Sequence, residues 1–277
     1  MIISRTKAEL RAALATLPGS TALVMTMGAL HEGHLALVEE ARRRAEHVIV
    51  SIYVNPLQFG PNEDFESYPR DLARDLELLG DVDLVFAPTD DEMYPRSPLV
   101  RIDPGPVAGI LEGATRPGHF AGVLQVVAKV LIAVGPDYAI FGQKDAQQLA
   151  LVTTMAADLD IPTEIVGVPI VRDSDGVARS SRNDYLSDEE RVQARALSRA
   201  LSAGVDIAPV ERSRNHQAVL AAARAVLDSE PGVRVDYLVF VDPDTFTELA
   251  PDAPWGLLAV AAWVGTTRLI DNMIVEL

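Results

Sequence analysis

Met27-Gly28-Ala29-Leu30-His31-Glu32-Gly33-His34 lies between the apolar run Thr21-Ala22-Leu23-Val24-Met25 and the helical pattern Leu35-Ala36-Leu37-Val38-Glu39-Glu40-Ala41. This arrangement predicts a turn from a buried strand into a helix, with two histidines at the helix mouth. A helix N-terminus carries unsatisfied backbone N–H groups and a partial positive charge, so it attracts anions, phosphate above all. Gly28 and Gly33 let backbone and ligand approach closely, while His31 and His34 supply donors for charge developing on a phosphoryl group. Taken alone, such a histidine pair equally fits half of a metal site or two surface side chains. The context decides for a site: another apolar run, Val48-Ile49-Val50-Ser51-Ile52-Tyr53-Val54, follows after one helix. The result is a βαβ unit with the histidines at the carboxyl edge of its first strand, where open α/β sheets bind ligands.

Composition narrows the class. The chain has 277 residues, 48% of them hydrophobic, enough for one large or two modest domains. No apolar run reaches the about 18 residues that cross a bilayer. Met1-Ile2-Ile3-Ser4-Arg5-Thr6 leads into an amphipathic pattern and does not resemble a signal peptide, so the expected location is cytoplasmic, with no membrane partner. The absence of cysteine excludes disulfides, thiolate metal sites and cysteine nucleophiles. A formal charge of −16 argues against a nucleic-acid partner, which needs a cationic face. Lysine is scarce, with Lys7, Lys129 and Lys144 alone, so the placement of each is informative.

The string Thr26 to His34 carries the His-x-Gly-His signature, which resembles the nucleotidyltransferase superfamily, and over its full length it is similar to the pantothenate synthetase family. The likeness runs from about residue 20 to the end of the chain. It implies an α/β fold: a Rossmann-like parallel-sheet domain binding ATP and pantoate over residues 1–171, then a smaller α+β lid domain over 172–277, hinged near Val171. The implied reaction joins pantoate to β-alanine through pantoyl adenylate, consuming ATP with Mg²⁺ and releasing AMP and pyrophosphate. Activation as an acyl phosphate is required because a carboxylate oxygen is a poor leaving group near neutral pH. The family is commonly homodimeric, and the metal ligands are not legible in the chain.

Three further stretches bear on this reading. Asn55-Pro56-Leu57-Gln58-Phe59 forms a Pro- and Asn-rich loop at the same sheet edge, and Asn55 beside proline fits a turn. The resemblance assigns Gln58 to pantoate and to β-alanine, makes Asp64 to Tyr68 a mobile flap, and lets Met27 line the pantoate pocket. Arg116 can reach a carboxylate or phosphate, and His119 can cap the following helix. Next, Gly142-Gln143-Lys144-Asp145-Ala146-Gln147-Gln148 is another strand-to-helix turn, placing Lys144 and Asp145 at the edge and Gln148 one helical turn on. By resemblance Lys144 meets the ATP phosphates, Asp145 the ribose and Gln148 pantoate. Last, Arg179-Ser180-Ser181-Arg182-Asn183 offers hydroxyls, N–H groups and guanidinium for a triphosphate losing pyrophosphate, or an ordinary helix cap. Here the resemblance puts Ser180, Ser181 and Arg182 on phosphate and the Val171 backbone on adenine.

The implied catalytic set is His31, His34, Lys144 and Arg182, with His34 the proton donor to the departing phosphate. The implied ATP contacts are Met27, Gly28, Ala29, Leu30, His31, Glu32, Gly33, His34, Gly142, Gln143, Lys144, Asp145, Val171, Arg179, Ser180, Ser181 and Arg182. Met25, Gln143, Ala146 and Arg179 depart from the family pattern, and Arg179 most of all, since a guanidinium replaces a residue often methionine. Two other readings are an adenylyltransferase acting on a phosphate and a nucleotide sensor without catalysis. The amides Gln58 and Gln148 argue against the first, and the intact His31, His34, Lys144, Ser180 and Arg182 against the second.

Overall fold

A computed structural model describes residues 1–61, 63, 65–208 and 216–277. Asn62, the flap's first residue Asp64 and Ser213, where the helical spacing that runs to Leu227 predicts a helix start, lie outside the described residues. The chain divides into two compact units, Met1–Gln143 with Gln148–Pro169, and Lys144–Gln147 with Ile170–Leu277.

In the first unit, β1 (Ile2–Ser4), β2 (Thr21–Thr26), β3 (His47–Ile52), β4 (Leu84–Phe86), β5 (Tyr138–Gly142) and β6 (Glu164–Val168) form one parallel sheet, ordered β1-β4-β3-β2-β5-β6. The helices are α1 (Lys7–Leu14), α2 (Glu32–Arg44), α3 (Leu72–Leu79), α4 (Asp90–Met93), α5 (Glu112–Thr115), α6 (His119–Val134) and α7 (Ala146–Asp158). Alternate strand residues face opposite sides, and both sides are covered. Leu23, Ile49, Leu84, Phe86, Ala139 and Phe141 pack with α1, α6 and α7 on one face. Ala22, Val24, Val48, Val50, Val85 and Ile140 pack with α2 and Leu79 of α3 on the other.

Two local expectations are corrected. Strand β1 was not visible in the sequence: three residues carry no periodicity, and the strand exists because Ile2 to Ser4 register against Leu84 to Phe86. Pro69 followed by Arg70-Asp71-Leu72-Ala73-Arg74 predicts a helix with proline in its first turn, but α3 starts at Leu72 because the Asp71 side chain accepts the Arg74 N–H and caps it there.

The second unit holds α8 (Asp188–Ile207), α9 (His216–Asp228) and an antiparallel sheet β7 (Val233–Val241), β8 (Trp255–Val264) and β9 (Thr267–Glu276) in that order. Ser187 and Glu190 form a capping box that starts α8. Leu197, Leu201, Val219 and Leu227 of the helices bury against Leu258, Val260 and Val275 of the sheet. Among the described residues, no helix is long and apolar enough to cross a membrane.

Candidate active site

Because the strands of the first sheet run parallel, the turns after β2 and β3 leave the same edge. Gly28 (φ 85°) and Ala29 (φ 51°) both take the left-handed conformation immediately after β2. Glycine does so without strain, whereas alanine costs roughly 1–2 kcal/mol. Something must hold Ala29 there.

The fate of the backbone N–H groups answers this and corrects the expectation that they stand bare for phosphate. Gly28 donates to Thr26 Oγ1 at 3.2 Å, and Ala29 and Leu30 donate to the two carboxylate oxygens of Asp75 at 3.1 and 2.8 Å. His31 N–H donates to His34 Nδ1 at 3.3 Å, and Gly33 N–H to His31 Nδ1 at 3.1 Å. Backbone donors in a half-buried turn take internal acceptors, since leaving them unmade is costly. His31 is thereby the N-cap of α2, and the histidines form a capping box. With both Nδ1 atoms accepting, a neutral ring carries its proton on Nε2, so each presents an Nε2–H donor. What this turn can offer an anion is therefore the two imidazoles and the helix dipole.

After β3, Asn55 caps a 3-10 turn, Pro56–Gln58, and the side chains of Asn55 and Gln58 are buried. Gln58 Nε2 donates to Met27 Sδ at 2.9 Å, and Asn55 Nδ2 donates to Gln58 Oε1 at 3.2 Å and to the Gly122 carbonyl at 3.1 Å. Tyr94 O–H donates to Asn55 Oδ1 at 3.1 Å. The structure thus joins Met27 and Gln58, two residues expected on pantoate. Arg116 reaches a carboxylate of the protein itself, Glu63, at 2.8 and 2.5 Å, and holds Glu63 below the usual carboxylate range. His119 is not the cap of α6: Gly118 is its N-cap, His119 is its first residue, and the His119 ring contacts the Gln58 carbonyl at 2.8 Å. A cavity of about 290 Å³ adjoins the β2 turn, lined by Met27, Gly28, Tyr53, Asp75 and Asp90 among others.

Lys144 and Asp145 lie in a 3-10 turn, Gln143–Asp145, directly after β5, and Gln148 is in the first turns of α7. In the second unit, Asn272 Nδ2 on β9 donates to the Lys144 carbonyl at 3.0 Å. The neighbouring Asp271, buried, takes both guanidinium nitrogens of Arg172 at 2.6 and 2.9 Å. Burial pushes the Asp271 carboxyl up, with Arg172 opposing. Val171 accepts the Arg179 N–H at 2.8 Å, and Ser180 caps the 3-10 turn Ser181–Tyr185 by accepting the Arg182 N–H. Arg179 pairs with Asp173 at 2.8 Å, while Arg182 is exposed.

A family profile described as Pantoate-beta-alanine ligase matches residues 2–274. The chain belongs to the pantoate-β-alanine ligase family. It is 54% identical to the pantothenate synthetase of Thermobifida fusca, over 98% of this chain and 95% of that one. It is 55% identical to that of Salinispora arenicola, over 98% and 96%. The crystal structure of the Thermus thermophilus pantothenate synthetase superposes with a TM-score of 0.92 at 48% identity, covering 99% of both chains. The Francisella tularensis pantoate-beta-alanine ligase, solved with beta-gamma ATP and beta-alanine, gives 0.78 at 33% identity, covering 99% of this chain and 97% of that one.

Sequence reasoning missed three polar residues of this ligase. Asp75 and Asn272 gave no signal, because an Asp inside an amphipathic helix and an Asn inside a strand read as solvated. Asn55 read only as a turn residue, and its grip on Gln58 depends on Gly122 and Tyr94, far along the chain. Among the described residues, no group of three or more His, Asp or Glu could hold a metal ion.

Proposed function

We propose that this ligase condenses pantoate with β-alanine at the expense of ATP. Pantoate's carboxylate attacks the α-phosphorus in line, pyrophosphate leaves, and the amine of β-alanine then attacks the pantoyl adenylate and releases AMP. The observation that carries this reading is the β2 turn, in which a fixed pair of Nε2–H donors sits at a helix N-terminus in a chain of this family. Donors already in place where charge develops need no reorganisation at the moment of reaction.

His31 and His34 serve the phosphate that becomes AMP, and His34 does so as a hydrogen-bond donor through Nε2–H: a neutral ring whose Nδ1 accepts the His31 N–H has no proton to give up, which corrects the expected proton donation. Lys144, Ser180, Ser181 and Arg182 serve the triphosphate, Asp145 the ribose, and the Val171 backbone the adenine. Met27, Gln58 and Gln148 hold pantoate, and Gln58 also meets β-alanine. The Met27–Gln58 contact supports the pantoate assignment, since it brings an apolar group and an amide to one place for an acid with hydroxyl and methyl groups. The described residues offer no preformed Mg²⁺ cage. Mg²⁺ enters with the triphosphate as part of the substrate, its usual mode with nucleotides. The catalytic and lid roles of residues 1–171 and 172–277, a homodimer and a cytoplasmic location complete the proposal.

The test is to incubate the purified protein with ATP, Mg²⁺, pantoate and β-alanine and to follow AMP. AMP release that needs both pantoate and β-alanine is expected. Pyrophosphate release without any need for pantoate, or tight ATP binding without turnover, would overturn the reading.

A further inference from the structure

Asp75 is 1% exposed on α3, in a position where a leucine would pack without any desolvation cost. Burying a carboxylate is tolerated only when hydrogen bonds compensate, and here the compensation comes from one place. Oδ2 takes the N–H of Ala29 and Oδ1 that of Leu30, so a single carboxylate clamps two consecutive peptides. Gly28 makes room for it: a Cβ at that position would lie 2.9 Å from Asp75 Oδ2. The clamped residue Ala29 is the one held at φ 51° against its intrinsic preference. From Leu30 the chain passes directly to His31, whose N–H donates to His34 Nδ1.

We propose that Asp75 is a positioning residue for the transfer reaction: by clamping Ala29 and Leu30 it fixes the peptide planes that set the mutual geometry of His31 and His34. Its charge is spent on two backbone N–H groups, so it acts on the reaction through the turn and not by touching substrate. The inference rests on the ligase reading for its effect on rate, and on the turn geometry for everything else.

Asp75→Asn keeps the shape but turns one acceptor into a donor facing an N–H. Turnover is expected to fall about 30- to 100-fold, as for loss of a transition-state donor, with KM for β-alanine moving less than about twofold. Asp75→Asn combined with Ala29→Gly tests the route: glycine adopts the left-handed turn unaided, so about tenfold of the lost kcat returns. A ¹⁵N spectrum of the histidine rings gives a readout without turnover, expected to show the Nε2–H form for His31 and His34 in the parent and a mixture in Asp75→Asn. Near-parental kcat in Asp75→Asn, no recovery with Ala29→Gly, or unchanged ring spectra would each overturn the proposal. If the parent protein makes no AMP, the ligase reading fails and the spectra still decide the role of Asp75.

Discussion

His34 Nδ1 accepts the backbone N–H of His31, and the two rings lie with their centroids 4.1 Å apart. His31 Nδ1 in turn accepts the N–H of Gly33. The fold therefore chooses which nitrogen of each ring is a donor. It does so with the backbone that starts the helix, and the result is two neighbouring rings that each carry the proton on Nε2.

His34→Ala removes one of those donors and also the acceptor for the His31 N–H. Steady-state kinetics should record a kcat lower by about 100-fold or more, the size of an oxyanion-type donor, with KM values changing far less. A rate close to that of the parent would remove His34 from its role.

Asn55 ties Gln58 to the Gly122 carbonyl and receives the Tyr94 hydroxyl. Truncation to alanine leaves these buried polar groups short of a partner. The expected loss is about 1–3 kcal/mol in urea unfolding, together with a raised KM for pantoate, because Gln58 loses the contact that orients its amide.

Gly122 separates two competing effects. Alanine in a helix interior normally gains about 1 kcal/mol over glycine. Here, however, its Cβ would sit 2.1 Å from the Leu57 carbonyl oxygen, inside the turn that carries Gln58. Overpacking against backbone should win, so Gly122→Ala should lower the melting temperature, with a net cost of about 1–3 kcal/mol.

The loop before Ser180 supplies a pH prediction. Arg191, bonded to Asp175, pulls that carboxyl from 3.8 down to about 2. A depressed folded-state pKa means that the pair stabilises the fold fully above the unfolded value and loses the contribution as pH falls through the folded one. The difference in urea midpoint between the parent and Asp175→Asn should thus stay constant near neutrality. It should shrink as the pH drops from about 4 toward about 2. A difference that does not change over this range would contradict the pairing.

Much of this protein was legible from local pattern. Strand β2, the turn to His34 and helix α2 follow from an apolar run, two glycines and a helical repeat, all close together in the chain. The turn from β5 into α7 at Gly142 to Gln148 follows in the same way, because periodicity and capping are properties of neighbours in the chain. What the pattern misjudged was which groups remain available. The N–H groups of the β2 turn looked open, yet Asp75, 46 positions after Ala29, occupies two of them. The resemblance to a known family supplied the substrates, which no periodicity could.

The sequence by itself determined the βαβ start of the sheet, the residue types at each strand-to-helix turn and the family. Only the tertiary structure decided which partners those residues keep: Asp75 for the histidine turn, Asn55 and Gly122 for Gln58, Asn272 for the Lys144 carbonyl. The physical reason is that a buried donor takes the nearest acceptor in space. Closeness in space between distant segments is set by how whole faces pack, which no window of neighbouring residues encodes.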